Sequence, residues 1–124
     1  MRSPYRDAHQ ITVYHPNDAN SYISIGWSGF IGVIAGINQN QISSSAMPVY
    51  YPDSTFSFPN QANGQPETEN GLPYYFLIKN ILYFNSNLNE ARAELLNSTK
   101  NRNIIMAIAD AKVQDYPFIT TQYR

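Results

Sequence analysis

The chain has no cysteine among its 124 residues. That absence excludes disulfide bridges, thiolate metal sites and a thiol nucleophile supplied by these residues. It leaves the compartment open. Charge is scarce as well: Asp, Glu, Lys and Arg make up 14% of the chain, against about a quarter in an ordinary globular protein. With a net charge of -1 there is no clustered basic face of the kind nucleic acid requires. Lys100 and Arg102 come nearest to a cluster, and two cations at a helix end are read as dipole complements. No apolar stretch approaches the ~20 residues of a membrane span. The longest are Phe30–Ile37 and Ile104–Ala109. The first ten residues hold Arg2, Pro4, Arg6 and Asp7 with no apolar centre, so no signal peptide is read in them. Neither a phosphate-loop nor a dinucleotide glycine pattern occurs, and there is no internal repeat or heptad.

What remains is room for one domain with a modest core. Residues 9–47 read as an antiparallel β-meander. Gln10–His15 is β-branched and aromatic and ends at the turn signal Pro16-Asn17-Asp18, and Ser21–Trp27 alternates with period two. Phe30–Ile37 is apolar on both strand faces, with Gly29, Gly32 and Gly36 allowing close backbone approach. Asn38-Gln39-Asn40 suits a tight turn because Asn tolerates the left-handed region, and Gln41–Met47 returns as a strand. Residues 48–71, with Pro48, Pro52, Pro59 and Pro66, read as a long loop.

From Leu72 the period changes. Tyr74, Leu77, Ile78, Ile81 and Leu82 fall on one helical face, with Pro73 in the first turn. Asn87 is a candidate N-cap for a second helix, with Glu90 three residues on. The apolar face of that helix is Leu88, Ala91, Leu95 and Leu96. Residues 72–99 are thus a helical pair. The strand in 103–112 is apolar on both sides over Ile104–Ala109, which predicts cover on both faces. The whole describes a layered sheet protein of mixed α and β type.

Candidate chemistry is thin. Gly26-x-Ser28 begins like a nucleophile elbow, but Phe30 stands where the elbow needs glycine. His9 and His15, six apart on an expected strand, face one side without a third ligand, so no metal site is assigned. Asp110, just past the apolar strand, reads as a turn or capping carboxylate rather than a catalytic one. Trp27, the single tryptophan, reads as a core or strand-end anchor. Asn97-Ser98-Thr99 is an N-glycosylation sequon, with Asn97 as the acceptor if the chain enters the secretory pathway.

Two blocks in order resemble one family. The first, Trp27-x-Gly29-x-x-Gly32-x-x-x-Gly36-x-Asn38, is a glycine-rich hairpin. The second, Gly71-x-Pro73-x-x-x-Leu77-x-Lys79, opens the first helix, and Glu90-Ala91 and a strand ending at Asp110 follow. Residues 22–112 are similar to the middle of the penicillin acyltransferase-like and acid ceramidase-like cysteine hydrolases of the N-terminal nucleophile superfamily. Lys79 stands where that family tends to carry Arg, and Gln41 where its hairpin usually has glycine.

The resemblance implies an α+β fold, a partial αββα sandwich with an antiparallel β-meander covered by two helices. It implies a full-length parent that cleaves or transfers an acyl group on an amide or lipid-like substrate, using a leading Cys whose own α-amino group is the base. It suggests a secreted or lysosomal setting. With that Cys missing, no catalytic residue and no cofactor is assigned, and the chain is expected to be inactive alone. Ser3 could lead only after cleavage behind Arg2, with Pro4 following it. A non-enzymatic alternative stays open: a module that pairs its open sheet edges with another chain or with itself.

Overall fold

The computed structural model describes residues 8–48, 71–99, 104–113 and 121–122. Six strands form one antiparallel sheet in chain order: β1 (His9–Tyr14), β2 (Tyr22–Trp27), β3 (Ala35–Asn38), β4 (Ile42–Pro48), β5 (Ile104–Asp110) and the two-residue β6 (Thr121–Gln122). Two helices, α1 (Tyr74–Phe84) and α2 (Leu88–Asn97), enter between β4 and β5. The α+β class and the meander of residues 9–47 are therefore present. The loop expected at 48–71 falls almost wholly outside the described residues, as do Ser3, Lys100 and Arg102.

The periodicities account for the layers. In α1, Leu77, Ile78, Ile81 and Leu82 are completely buried, the 3.6-residue face expected of them. Pro73 sits at the N-cap position rather than inside the first turn. In α2, Asn87 accepts a hydrogen bond from the Glu90 N–H at 3.0 Å. The Glu90 carboxylate reaches back to the Ser86 N–H at 2.7 Å, a capping box displaced by one residue. Ala91 and Leu95 bury, but Leu96 stays exposed, so the inner face of α2 is narrower than its sequence suggests.

Both helices lie on one face of the sheet. Tyr22, Ile42, Ile104, Met106 and Ile108 point toward them and complete the core with Val33. Gly36 on β3 lets α1 come down onto the sheet. A methyl group at Gly36 would collide with the Ile23 carbonyl oxygen and lie 2.6 Å from Leu82 Cδ1.

Two expectations are corrected. The apolar run Phe30–Ile37 is strand only from Ala35. Before it, Ser28 and Gly29 turn the chain, with Gly29 at φ 82° and the Phe30 N–H on the Trp27 carbonyl. The segment then leaves the sheet to bond α1: the Val33 N–H donates to the Tyr75 carbonyl at 3.0 Å. The second correction concerns β5, which among the described residues is covered on one face only. Ile104, Met106 and Ile108 bury, while Ala107 and Ala109 are exposed on the other side. Alternating large and small side chains had read as uniform apolarity.

The β3–β4 turn also differs from expectation. Its left-handed residue is Gln41, at φ 65°, and not one of the asparagines. A residue following a hairpin turn in this conformation is favourable for glycine and costs an L-residue roughly 1 kcal/mol. Gln41→Gly is therefore expected to raise stability by roughly 0.5–1 kcal/mol. Gly36→Ala is expected to lower it by roughly 1–3 kcal/mol through overpacking. Urea-denaturation midpoints of the two variants check both signs.

Candidate functional site

The densest polar arrangement gathers where the β3–β4 turn meets the end of α1. Helix α1 ends without a basic residue in its last turn, so its last carbonyls need partners from elsewhere. The Asn85 N–H takes the Ile81 carbonyl, the Asn20 N–H takes Tyr83, and Asn38 Nδ2 takes Leu82 at 3.0 Å. Asn38 Nδ2 also donates to the Asn85 carbonyl at 2.8 Å, and its Oδ1 accepts from the Asn40 and Ile42 N–H groups, each at 3.0 Å. Both amide hydrogens and both oxygen lone pairs are in use, and the side chain is buried. Asn20 Nδ2 donates to the same Asn85 carbonyl, and Asn40 Nδ2 donates to Asn20 Oδ1.

Asp110 lies beside this clasp and is buried. Its carboxylate accepts from the Lys112 N–H at 3.0 Å and from the Leu88 N–H at 3.3 Å, the latter at the start of α2, where negative charge is favoured. Lys112 Nζ stands 3.3 Å from the same carboxylate and donates to the carbonyls of Ser86 and Asn40. Burial pushes the Asp110 carboxyl up, but the Lys112 N–H, the Lys112 ammonium and the Leu88 N–H outweigh it and hold it below the usual aspartate range. Asp110 is thus a cap and turn carboxylate, as its sequence context suggests. Nearby, burial and the neighbouring rings of Tyr14 and Tyr83 push the Tyr22 phenol up to about 12, leaving it neutral and no base.

The other sequence candidates are scattered. Strand β1 stops at Tyr14, so His15 lies beyond it, where its Nδ1 is 3.1 Å from Ser21 Oγ, and His9 stays at the far end. Among the described residues no group of three or more His, Asp or Glu could hold a metal ion. Ser28 is part of the turn, its N–H on the Ala8 carbonyl. Trp27 ends β2, half-exposed, with its ring edge-on to Phe30 at 5.9 Å. It is a strand-end residue rather than a core one. Asn97 is exposed at the last position of α2, an accessible place for its sequon. None of these groups converges with another into a nucleophile–base pair.

The second feature is the face of the sheet turned away from the helices. Paired across β1 to β5, its residues form two rows: Val13, Ile23, Ile37, Ser43 and Ala109, then Ile11, Ile25, Ala35, Ser45 and Ala107. Trp27 and Met47 continue it at one end. No residue of these rows is charged, and Ile11 (70% exposed), Val13 (55%), Ile25 (49%) and Met47 (61%) stand open to solvent. A shallow hollow of about 400 Å³ lies on the β3–β5 side, where the row residues other than Ile37 are Ala and Ser. Contiguous exposed apolar patches larger than a few hundred Å² are typical of interaction sites.

Sequence periodicity pointed to the helix-facing residues. It missed the asparagine clasp and the open face. The clustering of Asn20, Asn38, Asn40 and Asn85 at element ends was its one available signal.

Among the described residues the fold is of the α+β class, one sheet with both helices on the same face. No protein-family model matches the chain. It is similar to two proteins of Dictyostelium discoideum. One is protein dcd1B, 24% identical over 110 residues that cover 87% of this chain and 20% of that protein. The other is protein dcd1A, 21% identical over 128 aligned residues that cover 98% of this chain and 26% of that protein. The chain therefore spans about a fifth to a quarter of the length of these curated relatives.

Two outcomes follow from the clasp. Asn38→Ala strands the Leu82 carbonyl and the Ile42 N–H in the interior and is expected to cost about 2–4 kcal/mol, read as a fall in the urea midpoint. The folded Asp110 pKa is depressed, so its stabilisation is fully present above the unfolded aspartate value. It is lost as pH falls through the folded value. Asp110→Asn should flatten the acid side of the stability–pH curve between those two points, measured by urea unfolding at each pH.

Proposed function

We propose that this chain is one sheet-and-helix layer pair of an N-terminal nucleophile hydrolase-like αββα sandwich, inactive by itself. The parent activity is cleavage or transfer of an acyl group on an amide or lipid-like substrate. One observation carries the reading: helices cover one face of the sheet and an uncharged apolar surface forms the other. That is what half of such a sandwich presents to its second sheet. The order of the glycine hairpin, the proline-led helix, the Glu90-Ala91 helix and the strand ending at Asp110 adds support, as does the greater length of the Dictyostelium relatives. In this reading the hairpin at Gly26–Asn38 is scaffold, since Asn38 and Gly36 serve α1 and the turn.

A second reading, a non-enzymatic module that completes its sheet with a partner chain, draws on the exposed strand β1. That strand lacks charge and proline, and such an edge invites pairing.

The purified 124-residue chain is expected to hydrolyse neither N-acyl amide nor ester substrates. Turnover abolished by Ser3→Ala would contradict the reading. A further check is the reading frame upstream in the gene: the hydrolase reading requires an in-frame segment encoding a Cys-initiated strand, and its absence favours the partner module.

A further inference from the structure

The open face is graded in size from one side to the other. On β1 and β2 it carries Val13, Ile11, Ile23 and Ile25. On β4 and β5 the same rows carry Ser43, Ser45, Ala107 and Ala109, and the central strand β3 holds Ile37 and Ala35. The large side chains make a ridge, and the small ones floor the hollow of about 400 Å³ beside it. A surface with ridge and trough side by side complements itself. Turned by a two-fold axis parallel to β3 and placed face to face, a second copy sets its ridge over the first copy's trough.

We propose that the 124-residue chain forms a homodimer through this face, with the two-fold axis running parallel to β3 midway between the two sheets. Val13 then lies over Ala109 of the second copy, Ile23 over Ser43, Ile11 over Ala107 and Ile25 over Ser45, while Ile37 meets Ile37. The two sheets pack aligned at the usual spacing of about 10 Å. The helices fall on the outside, and four layers result, α, β, β and α.

Three observations select a second copy as the occupant. The rows hold no charged residue, so bringing two identical faces together buries no charge and creates no repulsion. The large residues of the face, Ile11, Val13, Ile23, Ile25 and Ile37, are all exposed and contiguous, so a second copy buries them together, as a stable interface requires. The pairing of large over small matches the self-complementarity an isologous contact demands. The proposal rests on reading the face as a sheet-packing surface. It differs from that reading in the source of the second sheet, which here is another copy instead of a further segment of a longer protein.

Because the chain has no cysteine, single-cysteine probes report one position each. The full chain is expected to sediment at about twice 14.1 kDa. Ile25→Lys should shift it to monomer with its helical circular dichroism kept, since that side chain points away from the helices. Ile37→Cys treated with a short bismaleimide should give a covalent dimer in high yield, and Thr12→Cys, on the helix-side face of β1, should not. A monomeric wild-type chain overturns the proposal, as does open-ended aggregation. Cross-linking through Thr12→Cys in place of Ile37→Cys overturns it in favour of edge pairing. If Ile25→Lys unfolds, the two cysteine variants still decide. A monomer would leave the hydrolase-segment reading standing, because that reading is judged by the upstream frame and by turnover.

Discussion

A sheet has two faces, and among the described residues helices cover one of them. That constraint organises the rest of the structure. The core forms where α1 and α2 press onto β3, β4 and β5, and it is closed by Leu77, Ile78, Ile81, Leu82 and Leu95 above Ile42, Met106 and Ile108. Burying these side chains contributes on the order of 2 kcal/mol each. The opposite face gains nothing comparable unless something covers it. Its β-branched residues alternate with the core residues along the same strands, so a one-residue shift in register would exchange the two faces. Both faces are thus fixed by one pattern, and only one is satisfied within the described residues.

The clasp of asparagines holds the covered half together. Helix α1 stops at Asn85, over the β3–β4 turn, and its carbonyls are met from below by Asn38 and Asn20. Lys112 and Asp110 then tie the end of β5 to the same turn and to the start of α2. These groups are polar and close together, but their hydrogen-bonding capacity is spent on helix ends and turns. The neighbourhood resembles an active site in composition and works as a joint. Gly36 belongs to the same joint, since its bare backbone lets Leu82 approach.

Much of the fold was legible in the sequence. β-Branched and aromatic residues before Pro16 located β1, period-two alternation located β2, the return after the Asn38–Asn40 turn located β4, the 3.6-residue spacing from Tyr74 located α1, and Asn87 with Glu90 located the start of α2. Where reading failed, distant residues decided the outcome. Phe30–Ile34 carries strand-forming residues, yet Val33 is drawn under Tyr75 by a hydrogen bond that no local signal encodes. For β5, counting Ala with Ile as apolar concealed which face was to be filled. The clasp was invisible because its members lie as far apart in sequence as Asn20 and Asn85. No candidate site in the sequence became a reacting group, and the surface most suited to an interaction was spread across five strands.

The central claim is that the open face is a packing surface, covered in solution by a second copy of the chain. Solvent paramagnetic relaxation on isoleucine methyl groups tests it directly. With a soluble nitroxide added to the folded chain, the δ1 methyls of Ile23, Ile25 and Ile37 should be shielded nearly as well as those of Ile78 and Ile81 in the core. Strong broadening of the first three, with the core pair unaffected, would mean that the face stays in water and would contradict the claim.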